Sequence, residues 1–245
     1  MRMVLYNIRY GTGADWHFHL PVPMSGYLRR TPNKLKQITE FFKSLDPDII
    51  GLIEVDSGSY RSEKQNQAIQ IAHALDFDHH YMSKYAKGSV AQAIPVLNQQ
   101  GNAFLTRQIT RPPRFHYFTE GLKRLVIELE FDRFVIFLVH LAITFRSRQY
   151  QLQTLYSLFQ ETEKPAIVAG DFNALWGDRE LSLFMAATGL KNANTSGLPT
   201  FPAMAPIRQL DFILHDPRIR VNRFEVPRVR YSDHLPLVCD FELDD

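Results

Sequence analysis

The chain has 245 residues, of which 45% are hydrophobic, with a formal net charge of +2 and a single cysteine. That length and apolar content suit one large α/β domain spanning residues 1–245 better than two small ones. Cys239 alone cannot form an internal disulfide, which excludes a disulfide-stapled scaffold. The small charge permits an anionic substrate but excludes a protein that grips nucleic acid mainly by bulk electrostatics.

In chain order, the first predicted element is a strand at about 2–8, ending in Val4-Leu5-Tyr6-Asn7. The sequence enters this strand directly, with no signal peptide and no apolar run of membrane length. A cytoplasmic protein is expected, with a removed leader left open. Tyr10 to Arg30 follows as a long loop with three Gly, two Pro, Trp16, His17, Phe18 and His19. It is expected to overhang whatever Asn7 serves, either contacting substrate or packing as a plain surface connection. A helix is predicted at 32–45, with Thr31 as N-cap, Pro32 at its first position and an apolar stripe of Leu35, Ile38, Phe41, Phe42 and Leu45.

Next come a buried strand at 48–54 ending in Glu54, a helix at 63–75 and a strand at 102–106 opening on Gly101-Asn102-Ala103. Two apolar strands at 124–131 and 134–141 flank a turn at Arg133 and read as a hairpin, so the sheet is mixed. The second ends in His140. A helix at 146–160, a strand at 165–170, a helix at 179–188 and strands at 210–214 and 237–243 complete the pattern. No internal repeat, low-complexity tract or linker stands out.

Chemistry-bearing residues gather at strand ends. The run Pro165 to Ala169 leads into Gly170-Asp171-Phe172-Asn173, and Ser232-Asp233-His234 precedes another apolar run. A carboxylate two residues from a carboxamide, with a separate Asp-His pair, suits metal-assisted attack of water on phosphorus. Alone, Gly170–Asn173 reads more readily as an Asx turn capping a strand; the Asp233-His234 pair turns the reading toward chemistry. No Cys/His spacing suggests zinc, and no Gly-x-Gly-x-x-Gly follows the first strand. His73, His79, His80, His116 and His215 belong to no such motif. The run Arg218, Arg220, Arg223, Arg228 and Arg230 reads as solvated strand ends rather than a nucleic-acid track.

Taken in order, Asn7, Glu54, Asn102, His140, Gly170–Asn173, Asp211 and Ser232–His234 resemble the endonuclease/exonuclease/phosphatase superfamily, which includes DNase I. The resemblance runs from Asn7 to Phe241. It implies a DNase I-like four-layer sandwich, two mixed β-sheets flanked by helices, with the site at one end. It implies a Mg²⁺ (or Mn²⁺) ion held by Glu54, Asn7 and Asp233. Asp171 and Asn173 would handle the attacking water, Asp211 and His234 would form a dyad, and His140 would serve as phosphate ligand or general acid. Asn102 and Arg124 would contact the phosphate. The implied activity is hydrolysis of a phosphodiester, with nucleic acid such as DNA favoured over a lipid or small sugar phosphate. An inactive phosphate-binding module is the reading outside enzymes, and the intact set of acids, amides and histidines counts against it. A monomer is expected.

Overall fold

The computed structural model describes residues 1–13, 31–83, 96–108, 110–121 and 125–244. The loop predicted to overhang the site lies outside them from residue 14 to residue 30, as does Arg124. The described strands are β1 (Arg2–Asn7), β2 (Ile49–Asp56), β3 (Asp78–Ser83), β4 (Gln100–Thr106), β5 (Arg114–Tyr117), β6 (Leu125–Glu130), β7 (Val135–His140), β8 (Ala166–Asp171), β9 (Lys191–Asn192), β10 (Asp211–His215), β11 (Ile219–Glu225) and β12 (Leu237–Leu243). The helices are α1 (Pro32–Leu45), α2 (Gln67–Leu75), α3 (Phe145–Gln160) and α4 (Ser182–Thr188).

The strands form two six-stranded mixed sheets, ordered β11-β12-β1-β2-β4-β3 and β5-β6-β7-β8-β10-β9. Period-two alternation separates the faces of each strand. Met3, Leu5, Ile49 and Phe104 of the first sheet meet Ile127, Ile136, Leu138, Ile167 and Ile213 of the second in a central core. The alternate residues face outward. Val4, Tyr6, Ile50 and Leu52 pack under Leu35, Ile38 and Phe42 of α1 and Ile71 of α2. Val135, Phe137, Val139 and Val168 pack under Leu152 and Leu155 of α3 and Phe184 of α4. Both faces of both sheets are covered, which is why these strands read as continuous apolar runs. The four layers are the DNase I-like sandwich that the resemblance implies.

The β6–β7 hairpin forms as expected, with antiparallel pairing from Val126↔Val139 to Glu130↔Val135. Two helix starts are corrected. Residues 60–62 form a 3-10 turn, Glu63 and Lys64 take left-handed φ of 55° and 61°, and α2 begins only at Gln67. There Asn66 Oδ1 accepts from the N–H groups of Ala68 and Ile69, a true side-chain cap. Likewise Gly177–Glu180 is a 3-10 turn, and α4 starts at Ser182. Thr31 holds the N-cap position of α1 without capping through its side chain; its hydroxyl donates to Arg61 O at 3.2 Å. Strands β3, β5, β9 and β11 went unpredicted. They lie at or next to sheet edges, where backbone pairing sustains a strand whose side chains are polar and half exposed. The arginines of β11 pair locally, Arg220 with Glu242 and Arg223 with Glu225, as solvated strand residues do.

β1 and β12 pair antiparallel, and the Arg2 guanidinium grips Asp240 through both carboxylate oxygens, at 2.7 and 2.8 Å. The hydrogen bond from Arg2 holds the Asp240 carboxyl below its usual range. A depressed carboxyl contributes stability above its unfolded pKa, and that contribution fades as pH falls through the folded one. Asp240→Asn should cost about 1 kcal/mol at neutral pH. The gap to wild type should close below about pH 3, near and under the ordinary Asp value, as urea melts at the two pH values will measure.

Candidate active site

Three strand ends of the second sheet bring their polar residues into one row. β7 runs parallel to β8 with His140 opposite Asp171, and β10 runs antiparallel to β8 with Asp211 opposite Asp171. Gly170 makes this row possible. Its φ is 156°, and a Cβ there would lie 1.9 Å from Val139 O, so only glycine lets β8 deliver Asp171 against β7. Beyond Asp171 the chain turns at Asn173, φ 48°. Asn173 N–H donates to Asp171 Oδ1 at 3.0 Å, and its Nδ2 donates to Leu141 O at 2.9 Å. The Asx turn expected of Gly170–Asn173 is present, and it leaves the Asp171 carboxylate facing the row of strand ends. The turn fixes the carboxylate, and one donor of the Asn173 amide is engaged in the backbone.

The first sheet meets this row from the opposite layer. Asn7 ends β1, and its Nδ2 donates to Asp171 Oδ2 at 3.0 Å. Its Oδ1 accepts from Arg9 N at 3.1 Å. Glu54 sits at a bulge, where the β2–β4 register jumps between Leu52 and Val55. Its φ of 59° is left-handed, a conformation a non-glycine residue holds only under constraint. Asn102 fills the bulge from β4, accepting Glu54 N–H with its Oδ1 at 3.3 Å. The Asn102 Nδ2 is buried and has no hydrogen-bond partner among the described residues. A buried amide donor left over in this position suits an anionic oxygen.

His140 and His234 flank Asp171. His140 Nε2 is 3.3 Å from Asp171 Oδ2 and 4.0 Å from Glu54 Oε1. His234 Nε2 is 3.9 Å from the same Asp171 oxygen, and its Nδ1 is 2.8 Å from Asp211 Oδ2. Thr200 completes the pair: its hydroxyl donates to Asp211 Oδ2 at 2.6 Å. Burial by itself lowers the His234 pKa. The charges of Asp211 and Asp171 outweigh it and raise the value to about 10. Burial raises the Asp211 carboxyl, against the pull of its imidazole partner. The surrounding carboxylates thus favour the protonated form of the imidazole, whose Nε2 is directed toward Asp171.

Of the expected ligands, Asn7 bonds Asp171, Glu54 lies 4.0 Å from His140, and Asp233 precedes His234 in the chain. Asp171, Asp211 and His234 place one donor atom each within 4.8 Å of one another, a candidate cation site only while His234 is neutral, since a protonated imidazole has no lone pair to offer. Glu54 and Asp171 both approach the same His140 nitrogen. Oxygen donors dominate, from carboxylates and one amide, which fits a hard divalent cation of the Mg²⁺ class. Asp233 pairs with Arg9 Nε at 3.4 Å, so any ion it held would share it with a guanidinium. Arg9 and Thr200 are the residues that sequence reasoning passed over. The signal for Arg9 was its position two residues after Asn7. Thr200 opens the Thr200–Pro206 tract, but its contact with Asp211 depends on a loop closing across β10.

The sequence from residue 4 to residue 234 matches the model of the endonuclease/exonuclease/phosphatase family. The chain belongs to that family, whose hydrolases are generally metal-dependent phosphoesterases. A search of curated proteins found no match. Among solved structures, a conserved Enterococcus faecalis V583 protein of unknown function is similar over 100% of both chains, at 15% identity and a TM-score of 0.72. The human Nocturnin catalytic domain with bound sulfate is similar at 22% identity, over 100% of this chain and 94% of that one, with a TM-score of 0.70. TDP2 from Caenorhabditis elegans is similar at 16% identity, over 98% and 74%, with a TM-score of 0.67. At these identities the likeness establishes the fold.

If Asp211 and His234 act as one unit, removing either should disable it. His234→Ala and Asp211→Asn should each slow hydrolysis strongly, and the double variant should be little worse than the weaker single. Rates of the four proteins at saturating Mg²⁺ decide this; losses that multiply would make the two residues independent.

Proposed function

We propose that the protein is a divalent-metal-dependent phosphodiesterase that hydrolyses nucleic acid such as DNA by in-line attack of water. One observation carries the reading. The buried Asp171 carboxylate stands between Asn7, His140 and His234, where strand ends of both sheets converge. Family membership gives the reaction class its background.

In this reading Asp171 orients the attacking water and takes its proton. Its Oδ1 is fixed by Asn173 N–H and its Oδ2 by Asn7, so the carboxylate needs no reorganisation during reaction. His234, kept cationic by Asp211, meets the negative charge building on the phosphoryl oxygens. Asn102 offers its leftover Nδ2–H to a phosphate oxygen. His140, between Glu54 and Asp171, is placed to hold the phosphate or give a proton to the leaving oxygen. Glu54, Asn7 and Asp233 would hold the metal, which when bound neutralises phosphate charge and polarises the phosphoryl group. Arg9, bonded to Asp233, steadies one side of that ligand set.

Hydrolysis of a phosphodiester should stop in EDTA and return with Mg²⁺ or Mn²⁺ but not Zn²⁺. Glu54→Gln should raise the metal concentration needed for half-maximal rate. Full turnover in chelator would overturn the proposal, and an unchanged titration would remove Glu54 from the ligand set.

Asp171→Asn should cut the rate by about two to four orders of magnitude while sparing affinity for a substrate analogue. Single-turnover rates beside analogue binding test this directly, and near-normal turnover would refute the role.

A further inference from the structure

Beside the site, two loops of the second sheet carry large side chains into solvent. Ile143 and Phe145, in and just after the turn that follows His140, are each 57% exposed. Trp176, in the loop that follows Asn173, is 77% exposed. A single side chain of this kind is ordinary; here three stand on two loops joined through one ion pair.

A buried ion pair holds the loops together. Arg148 is 1% exposed, and its Nε donates to Glu180 Oε2 at 3.0 Å. Arg148 Nη1 also donates to the carbonyls of Ala142 and Ile143, at 2.9 and 2.8 Å. The other Glu180 oxygen accepts Trp176 N–H at 2.8 Å. The Phe145 ring centroid lies 5.9 Å from the same guanidinium. A charged pair is costly to bury unless its hydrogen bonds are satisfied. Here they are satisfied largely by the two loops, so the pair sets where Ile143, Phe145 and Trp176 stand.

Arg146 and Arg179, on the same two segments, are exposed, and neither forms an ion pair among the described residues. Flat aromatic surface next to unneutralised guanidinium groups suits a strand whose bases stack while its phosphates meet the arginines. A membrane surface fits less well. Three apolar side chains offer little area for insertion into a bilayer.

We propose that the Phe145–Trp176 rim is a base-stacking platform that receives single-stranded nucleic acid beside the scissile phosphate. Trp176 is the stacking surface, Arg146 and Arg179 take the flanking phosphates, and the Arg148–Glu180 pair is the support. The proposal rests on the phosphodiesterase reading of the adjoining site.

The test separates binding from chemistry. The sequence has two tryptophans, so Trp16→Phe leaves Trp176 as the only indole emitter. In EDTA at low salt, a short single-stranded oligothymidylate should quench that emission. By anisotropy of the labelled oligonucleotide, Trp176→Ala should bind about tenfold more weakly and Trp176→Phe nearly as well as wild type. Phosphatidylcholine–phosphatidylserine vesicles should leave the emission unchanged. Unquenched emission, equal binding by Trp176→Ala, no binding, or an emission shift with vesicles alone would each overturn the platform. Because no turnover is read, such a result leaves the phosphodiesterase proposal standing. Quenching without metal-dependent hydrolysis of any diester would support the platform and sink the activity.

Discussion

The Asp171 carboxylate is the point on which the arrangement turns. It is 2% exposed and lies where the ends of two facing sheets meet. A buried carboxylate costs free energy unless donors and cations surround it. Asn7 reaches it from the first sheet, Asn173 from its own turn, and His140 and His234 from either side. Each partner belongs to a different element, so the sheets must pack in one relative position for the charge to be satisfied. The hydrophobic sandwich supplies that position.

Unusual backbone conformations hold the residues around this carboxylate. Glu54 and Asn173 have positive φ, and Gly170 bends between strands too close for any side chain. Conformations of this kind persist where surrounding packing over-determines them. The bulge at Glu54 turns a strand residue out of alternation and leaves the Asn102 amide with an unused donor. The local cost is held by a core in which Met3, Leu5, Leu138 and Ile213 are almost wholly buried.

A second polar knot, Arg148 with Glu180, organises the loops that follow His140 and Asn173 rather than the polar groups around Asp171. The candidate site thus has two nested supports. One fixes the charged groups around Asp171, and the other fixes the loops beside them.

The sequence by itself determined the elements whose side chains decide them. Runs such as Val135–Val139 and Ala166–Ala169 read as buried strands and form them, and the α1 stripe matched its helix from Pro32 to Leu45. The ordered acids, amides and histidines pointed to the family, and Asn7, His140, Asp171, Asp211 and His234 among them come together in the fold. Tertiary structure decided the rest. Edge strands such as β3 and β11 exist because a neighbour offers backbone partners, which leaves no apolar alternation to read. The late start of α2 came from the left-handed turn at Glu63 and Lys64. Thr200 and Arg9 entered the site because loops distant in sequence close on Asp211 and Asp233. A sequence records which residues can carry charge; only the packed sheets bring those charges to a few ångströms, where their interaction is large.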